Sequence, residues 1–454
     1  MLTKPEVFKT YDLRGIYRQD FDEDLAYRLG LAFVKMKLEE LGTLNMKLVV
    51  ASDMRLSSPS LKASLIRGMT DGGAQVIDIG LAPTPTFYFA VAHYGYHGGI
   101  QVSASHNPKE WNGFKLVREK AAPIGGNTGL DWLKEEVMSG QLNVAARPGQ
   151  VEVKTNVVAD QAAHDLALVD SSKIKPLKIV IDTANGMGAV YFEELFKHLP
   201  CQVIKMNWEL DGNFPAHEAD PFKAANVADL CQRVVAEKAD LGITTDGDAD
   251  RIFFVTETGQ AVEAGITRAV LSKLFLADKP GAKIGYDIRP GRITPETIEA
   301  AGGKPVPTKV GHALIKKQMI EENIYFAGES SGHFYFNMAE GCYEVPLVVT
   351  LKILAALSAS GQTFSDYIKP YQKYFNAGEI NIKVADPLAK VKAIRAAYIA
   401  GRQNELDGIS VEFDDYWFNV RASNTEPLLR LNLEATTKEI METKRDELVA
   451  LIKS

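Results

Sequence analysis

A short apolar run that closes on an aspartate recurs three times along the chain. Lys47-Leu48-Val49-Val50-Ala51 leads to Asp53, Lys178-Ile179-Val180-Ile181 to Asp182, and Ile284-Gly285-Tyr286 to Asp287. After each, the pattern predicts a helix, a second strand, another helix and a third strand. In the first repeat the helix covers residues 58–72, the second strand is Gln75-Val76-Ile77-Asp78-Ile79, and Ile100 and Val102 lie on the third. The second repeat continues through Asn185-Gly186, which opens a helix, to Gln202-Val203-Ile204 and Asp240-Leu241-Gly242-Ile243-Thr244. The third continues to Lys304-Pro305-Val306-Pro307 and Ile324-Tyr325-Phe326-Ala327. Apolar strands separated by helices imply crossover connections and a largely parallel, buried sheet.

Beyond Pro370 the pattern changes. Glu379-Ile380-Asn381-Ile382-Lys383-Val384 alternates like a half-exposed strand, and Asp407–Phe413 with Trp417–Arg421 reads as an antiparallel pair. A strand at Leu429–Leu433 and a terminal helix complete this part. The predicted fold is α/β: three similar α/β domains with mixed, largely parallel sheets, plus a C-terminal α+β domain, around a central cleft. The expected divisions are 1–149, 150–254, 255–368 and 369–454, with linkers at 146–150 and 360–363. A length of 454 residues exceeds what one core accommodates.

Lys plus Arg number 51 against 58 Asp plus Glu, a net charge of −7. That balance argues against a general nucleic-acid surface but leaves room for a local basic pocket. Cys201, Cys231 and Cys342 show no CxxC spacing, which fits reduced thiols in a cytoplasmic protein. The first residues, Met1-Leu2-Thr3-Lys4-Pro5-Glu6, lack the apolar run of a signal peptide. Val345 to Leu357 is interrupted by Lys352 and is too short to span a bilayer, so a buried helix and no membrane partner are expected.

The third strand of each repeat runs into a polar loop, and similar domains would bring such loops to one cleft. In the first, Pro108 stops the strand and leaves Ser105 beside His106 and Asn107, with Lys115 ten residues on. The same residue types also form ordinary turns. In the second, Asp246, Asp248 and Asp250 alternate about Gly247. On an extended backbone this aims all three carboxylates to one side, where mutual repulsion calls for a cation. Hard oxygen donors without nearby His or Cys favour Mg²⁺ over Mn²⁺ or Ca²⁺. An EF-hand is excluded because Arg251 stands where its invariant glycine belongs. A solvated acidic turn is the plain alternative.

In the third loop, Glu329-Ser330-Ser331-Gly332-His333 sets a carboxylate that can accept two sugar hydroxyls near an imidazole that can shuttle a proton. A capping or turn role is equally compatible. Arg421-Ala422-Ser423-Asn424-Thr425 suits a phosphate dianion, or a polar hairpin loop. Thr308–His312, Arg289 and Arg292 add cationic groups, while His93, His97, His164, His198 and His217 are read as structural.

Taken together, Phe8–Gly15, Ser103–Pro108, Asp246–Arg251, Gly328–His333 and Arg421–Pro427 closely resemble the α-D-phosphohexomutase superfamily. The nearest resemblance is to its bacterial phosphomannomutase/phosphoglucomutase branch. That resemblance spans the chain and implies that Ser105 is a phosphorylated serine whose phosphate joins Asp246, Asp248 and Asp250 in holding Mg²⁺. It implies that Glu329 and Ser331 read sugar hydroxyls, and that Arg421, Ser423, Asn424 and Thr425 hold the non-reacting phosphate. Tyr11, Arg14, Arg289, Lys115, His312 and His333 would complete the pocket, and Ser105, His106, Lys115, Arg251 and His333 are the implied catalytic groups.

The implied activity interconverts hexose 1- and 6-phosphates of mannose, glucose or both, through glucose or mannose 1,6-bisphosphate. Alternatives are a phosphoglucosamine mutase, a Mg²⁺-dependent sugar phosphatase with Asp246 as nucleophile, and a non-catalytic sugar-phosphate binder. The Arg-Ala-Ser-Asn-Thr loop is closer to the hexose enzymes, whereas Ser330 stands where they usually carry Met. Arg289, at a position that is often Lys in dual-specificity enzymes, tilts the expectation toward mannose. Sugar phosphates are the expected partners of a monomer or dimer.

Overall fold

The computed structural model describes residues 3–289, 291–422 and 428–454. The chain divides into two compact units, Met1–Val262 with Ser331–Ser365 and Glu263–Ser330 with Asp366–Ser454.

The first unit contains a six-stranded sheet in the order Leu13–Ile16, Trp111–Arg118, Gly98–Val102, Lys47–Ser52, Gln75–Leu81, Val151–Val153. A four-stranded sheet runs Ile252–Thr256, Leu241–Thr245, Lys178–Asp182, Gln202–Met206. In both, the first strand of the repeat lies between the second and third, and all three are parallel. Each third strand pairs antiparallel with the strand that follows it. The polar loops after Val102 and Thr245 therefore leave from the carboxyl ends of buried parallel strands. In open α/β sheets that is where ligands bind.

The core of the larger sheet joins Leu25, Leu29 and Phe33 of helix Glu23–Leu41 to Leu61 and Leu65 of helix Ser58–Asp71 and to Leu48, Val50 and Ile100 of the strands. The apolar segment expected as a buried helix is helix Pro346–Ser360, which is largely buried within this unit. Among the described residues no single helix is long and apolar enough to cross a membrane.

The expected linker at 146–150 is stitched to the sheet. Gly149 N donates to Thr70 O at 2.7 Å, Val76 N donates to Gln150 O at 2.8 Å, and Val151–Val153 then extends the edge. Pro and Gly signal a turn there, but the exposed strand edge supplies hydrogen-bond partners that local sequence does not reveal.

In the second unit, strands Lys304–Thr308, Lys283–Asp287 and Phe326–Gly328 repeat the parallel arrangement, again with the first strand in the middle. A five-stranded antiparallel sheet follows, ordered Phe375–Lys383, Leu428–Ala435, Tyr416–Ala422, Ile409–Glu412, Arg402–Asn404. Ile394 of helix Pro387–Ala397 and Met441, Leu448 and Ile452 of helix Lys438–Lys453 share a core with these strands. That first helix and strand Arg402–Asn404 were not expected from the sequence. The strand predicted at 379–384 begins at Phe375 and carries a bulge between Asn376 and Glu379.

Candidate active site

Strand Gly98–Val102 is buried along its whole length, and the chain then turns so that Ser105 adopts φ = 51°. A left-handed conformation at a non-glycine residue costs about 1 kcal/mol and persists only when the surroundings impose it. Arg55 imposes it. Its fully buried guanidinium donates to the carbonyls of Ser105 (2.8 Å), Asn107 (2.6 Å), Pro108 (2.7 Å) and Trp111 (3.0 Å). Asp53 lies 3.2 Å from Arg55 Nε and accepts from Ser58 Oγ at 2.6 Å. Sequence reasoning assigned no role to Arg55. The available signal was its place in Asp53-Met54-Arg55, directly after the first recurring strand.

Strand Leu241–Thr245 delivers the acidic loop. Its backbone is a turn, with Ala249 at φ = 61° and Ala249 N donating to Asp246 O at 3.1 Å. This corrects the extended-backbone expectation. Curling of the loop, rather than strand alternation, brings one oxygen each from Asp246, Asp248 and Asp250 within 4.8 Å of one another.

All three are buried, and the first-unit groups predicted around them converge. Ser105 Oγ donates to Asp246 Oδ2 at 2.6 Å. Lys115 Nζ bridges Asp248 Oδ2 at 2.6 Å and Asp250 Oδ2 at 2.5 Å, and Thr84 Oγ1 donates to Asp248 Oδ2 at 2.6 Å. Burial, then repulsion from Asp250 and Asp248, pushes Asp246 up to about 7. Burial also opposes the charge on Asp250, but Lys115 and His333 outweigh it and hold that carboxylate well below its usual range. For Lys115 burial works against the ammonium, and Asp248 and Asp250 hold it well above its usual range.

Among the described residues Asp248 Oδ1 is buried without a hydrogen-bond donor. A convergent set of hard oxygens, one of them unpaired, with an ammonium already drawn to it, fits a small divalent cation such as Mg²⁺.

His106 Nδ1 lies 3.3 Å from Ser105 Oγ. Burial, then the charges of Arg251 and Arg14, hold this imidazole well below 6.5, so it is neutral at pH 7. Arg14 donates to Asn107 Oδ1 at 2.8 Å and pairs with Asp12 at 2.7 Å, and Tyr11 on the same stretch is half-buried. Arg251 Nε lies 3.6 Å from Asp246 Oδ2 and 3.4 Å from His333 Nε2. His333 Nε2 is 3.2 Å from Asp250 Oδ1, and its Nδ1 is 2.8 Å from Ser331 Oγ.

The remaining predicted residues belong to the second unit. Arg289 Nη2 reaches Glu329 Oε1 at 3.3 Å, and the same oxygen accepts from Gly311 N at 3.2 Å. His312 is the first residue of helix His312–Glu322. Arg421 Nη2 lies 3.2 Å from Glu379 Oε2, and Arg430 Nη1 is 3.1 Å from Glu379 Oε1. Burial disfavours the Glu379 carboxylate, yet Arg289, Arg421 and Arg430 hold it below its usual range. Glu379 and Arg430 were missed because each reads as one polar residue on an alternating strand. Ser423, Asn424 and Thr425 lie outside the described residues.

The chain matches the phosphoglucomutase/phosphomannomutase family in all four of its parts. Alpha/beta/alpha domains I, II and III match residues 5–141, 159–259 and 266–374, and the C-terminal domain matches 379–451. The chain belongs to this family.

Phosphohexose mutases of Xanthomonas campestris pv. campestris (strain B100) are 39% identical over 452 residues, covering 98% of this chain and 99% of theirs. A phosphomannomutase of Escherichia coli is 36% identical over 464 residues, covering 100% of both chains. The crystal structure of a phosphoglucomutase/phosphomannomutase family protein from Burkholderia thailandensis superposes with a TM-score of 0.89 at 30% identity, covering 99% of this chain and 98% of that one. As a family member the protein is an isomerase of the phosphohexomutase class, interconverting sugar phosphates.

Proposed function

We propose that Ser105 is the phosphoryl carrier of a mutase that exchanges phosphate between the 1- and 6-hydroxyls of a hexose. The observation that carries this reading is the 2.6 Å bond holding Ser105 Oγ on Asp246, beside Asp248, Asp250 and Lys115. Phosphorylated Ser105 transfers its PO₃ group to the free hydroxyl of a hexose monophosphate. The seryl P–O bond breaks, a sugar P–O bond forms, and the hydroxyl proton leaves to a base. The resulting glucose or mannose 1,6-bisphosphate turns over, and its other phosphate returns to Ser105.

Such a transfer rests on positioning and charge neutralisation. Mg²⁺, held by the Ser105 phosphate with Asp246, Asp248 and Asp250, would supply part of that neutralisation. Arg251 and Lys115 supply the rest, His106 and Arg14 orient the loop, and Lys115 and His333 carry the proton in the two directions. Tyr11, Arg289, His312, Glu329 and Ser331 recognise the sugar. Arg421 with Ser423, Asn424 and Thr425 grips the phosphate that is not reacting.

In this reading residues 1–149, 150–254, 255–368 and 369–454 contribute the serine, metal, sugar and phosphate loops respectively. Mannose 1-phosphate is the first substrate to test, supported by the relatives named phosphomannomutase. The protein acts in the cytoplasm as a monomer or dimer whose partners are sugar phosphates. Free Cys201, Cys231 and Cys342 support that compartment.

Ser105→Ala is the decisive variant. Turnover of mannose 1-phosphate to the 6-phosphate should fall by at least about 10³-fold. Peptide mapping of the wild type after incubation with the bisphosphate should find phosphate on Ser105. Near-full turnover in the variant overturns the assignment. Stoichiometric release of inorganic phosphate without a bisphosphate requirement indicates the phosphatase alternative instead.

A further inference from the structure

Ser330 sits inside the Gly328–His333 loop, and its hydroxyl has partners that an aliphatic or thioether side chain could not engage. Ser330 Oγ donates to Asp287 Oδ1 at 2.8 Å and accepts from Arg268 Nη1 at 2.9 Å. Arg268, fully buried in helix Ala264–Asp278, also pairs with Asp287 Oδ1. The other oxygen, Asp287 Oδ2, holds Arg289 Nε at 2.5 Å. Arg289 in turn reaches Glu329, so one buried carboxylate connects Ser330 and Arg268 to two groups assigned to sugar recognition.

The backbone is shaped around this cluster. Gly291 has φ = 154°, and a Cβ there would lie 2.2 Å from Arg268 Nη2, so a side chain at this position would displace the guanidinium from where it meets Asp287. Burial, then repulsion from Arg289, lowers Arg268 to about 10, which still leaves it charged at pH 7. Asp287 is the acid that closes the third recurring strand, and the reaction scheme gives it no task. A buried ion pair of this kind costs desolvation energy, and its best-attested use is to enforce one arrangement over others.

We propose that Ser330 and the buried pair Arg268 and Asp287 form a lock that sets where Arg289 and Glu329 present their charges, and thereby tunes which hexose phosphate is accepted. The three are positioning residues, acting through Arg289 and Glu329. The proposal rests on the reading that Glu329 accepts sugar hydroxyls. Loosening the lock weakens interactions made equally in ground and transition states, which appears in KM more than in kcat.

The test compares the full-length wild type with Ser330→Ala, Ser330→Thr, Glu329→Gln and the Ser330→Ala/Glu329→Gln double variant. Each is assayed for kcat and KM with mannose 1-phosphate and glucose 1-phosphate, alongside Tm. Ser330→Ala should raise KM by about 5- to 20-fold for at least one hexose and shift the ratio of the two kcat/KM values by at least about threefold. Its kcat should fall by no more than about twofold. Ser330→Thr, which keeps the hydroxyl, should restore both. The double variant should lose less than the product of the single losses, because the two residues act through one network.

Should Ser330→Ala misfold, Ser330→Cys, close in volume but a weak hydrogen-bonding partner, carries the same expectations. An unchanged KM and ratio in Ser330→Ala, with KM raised in Glu329→Gln, overturns the lock and leaves the Glu329 reading standing. An unchanged KM and ratio in Glu329→Gln overturns that reading and the lock with it.

Discussion

Arg55 donates from Nη2 to the main-chain carbonyl of Ser105 at 2.8 Å, and the same guanidinium gathers three further carbonyls of that loop. Asp53 neutralises it and Phe214 covers it, with the guanidinium carbon 5.1 Å from the ring centroid. Ser105 is thus held in its left-handed turn by a residue fifty positions upstream. Arg55→Met should remove the donors while leaving the carbonyls and Asp53 buried. A loss of about 3–5 kcal/mol in urea unfolding is expected. Turnover of mannose 1-phosphate should drop by at least about 100-fold. Arg55→Lys, a compact ammonium without the planar fork, should recover only part of either.

The approach of the serine loop to the acidic loop in the first unit has its own test. A Cβ on Gly247 would lie 2.6 Å from the Ser105 carbonyl oxygen, and both sides of that contact are backbone. Gly247→Ala should therefore push the acidic loop off the serine loop. Stability should fall by about 1–3 kcal/mol. Activity should fall by at least about tenfold more than that destabilisation alone accounts for at saturating substrate. Retained turnover would show that the loops tolerate separation.

Removal of divalent cations should abolish turnover, and added Mg²⁺ should restore it. Asp248→Asn keeps the side-chain volume and the Thr84 contact but takes away one charge from the buried cluster. The Mg²⁺ concentration for half-maximal rate should rise by at least about tenfold. A titration of rate against free Mg²⁺ in wild type and variant reads this directly.

His164 predicts a pH dependence of stability. Its ring lies 2.9 Å from Asp165 Oδ1 and 2.8 Å from Glu340 Oε1. The hydrogen bond to Asp165, against burial and with the attraction of both carboxylates, raises this imidazole above 6.5. A raised imidazole binds its proton more tightly in the folded chain. Its stabilisation is complete below pH 6.5 and is lost as pH climbs through the folded-state value. As pH rises above 6.5, Tm should fall from this source, and His164→Gln should show a correspondingly smaller fall. Parallel melts of both proteins across that range check it.

His164 also shows what kind of feature a linear reading overlooks. Expected to be structural, it bridges Asp165 and Glu340, the latter 176 positions away, and no local pattern announces that partner. Glu379 was hidden in the same way. On an alternating strand it looks like one more solvent-facing residue, yet it lies against Arg421 and Arg430. The acidic triplet was expected on an extended backbone, and it stands on a turn. Spacing alone cannot separate an extended strand from a turn, because Ala249 at φ = 61° gives no sign of its conformation in the sequence.

What the sequence determined was periodicity and chemical type. Continuous apolar runs between helical stretches required buried parallel strands. Their polar ends had to leave the sheet as loops, since no strand buries Asp246, Asp248 and Asp250 without a partner. What tertiary structure alone decided was who meets whom. Ser105 reaches Asp246 across 141 positions and Lys115 reaches Asp250 across 135, because strands remote along the chain end close together. Those encounters depend on how the sheets pack, and packing is a property of the whole folded unit rather than of any stretch within it.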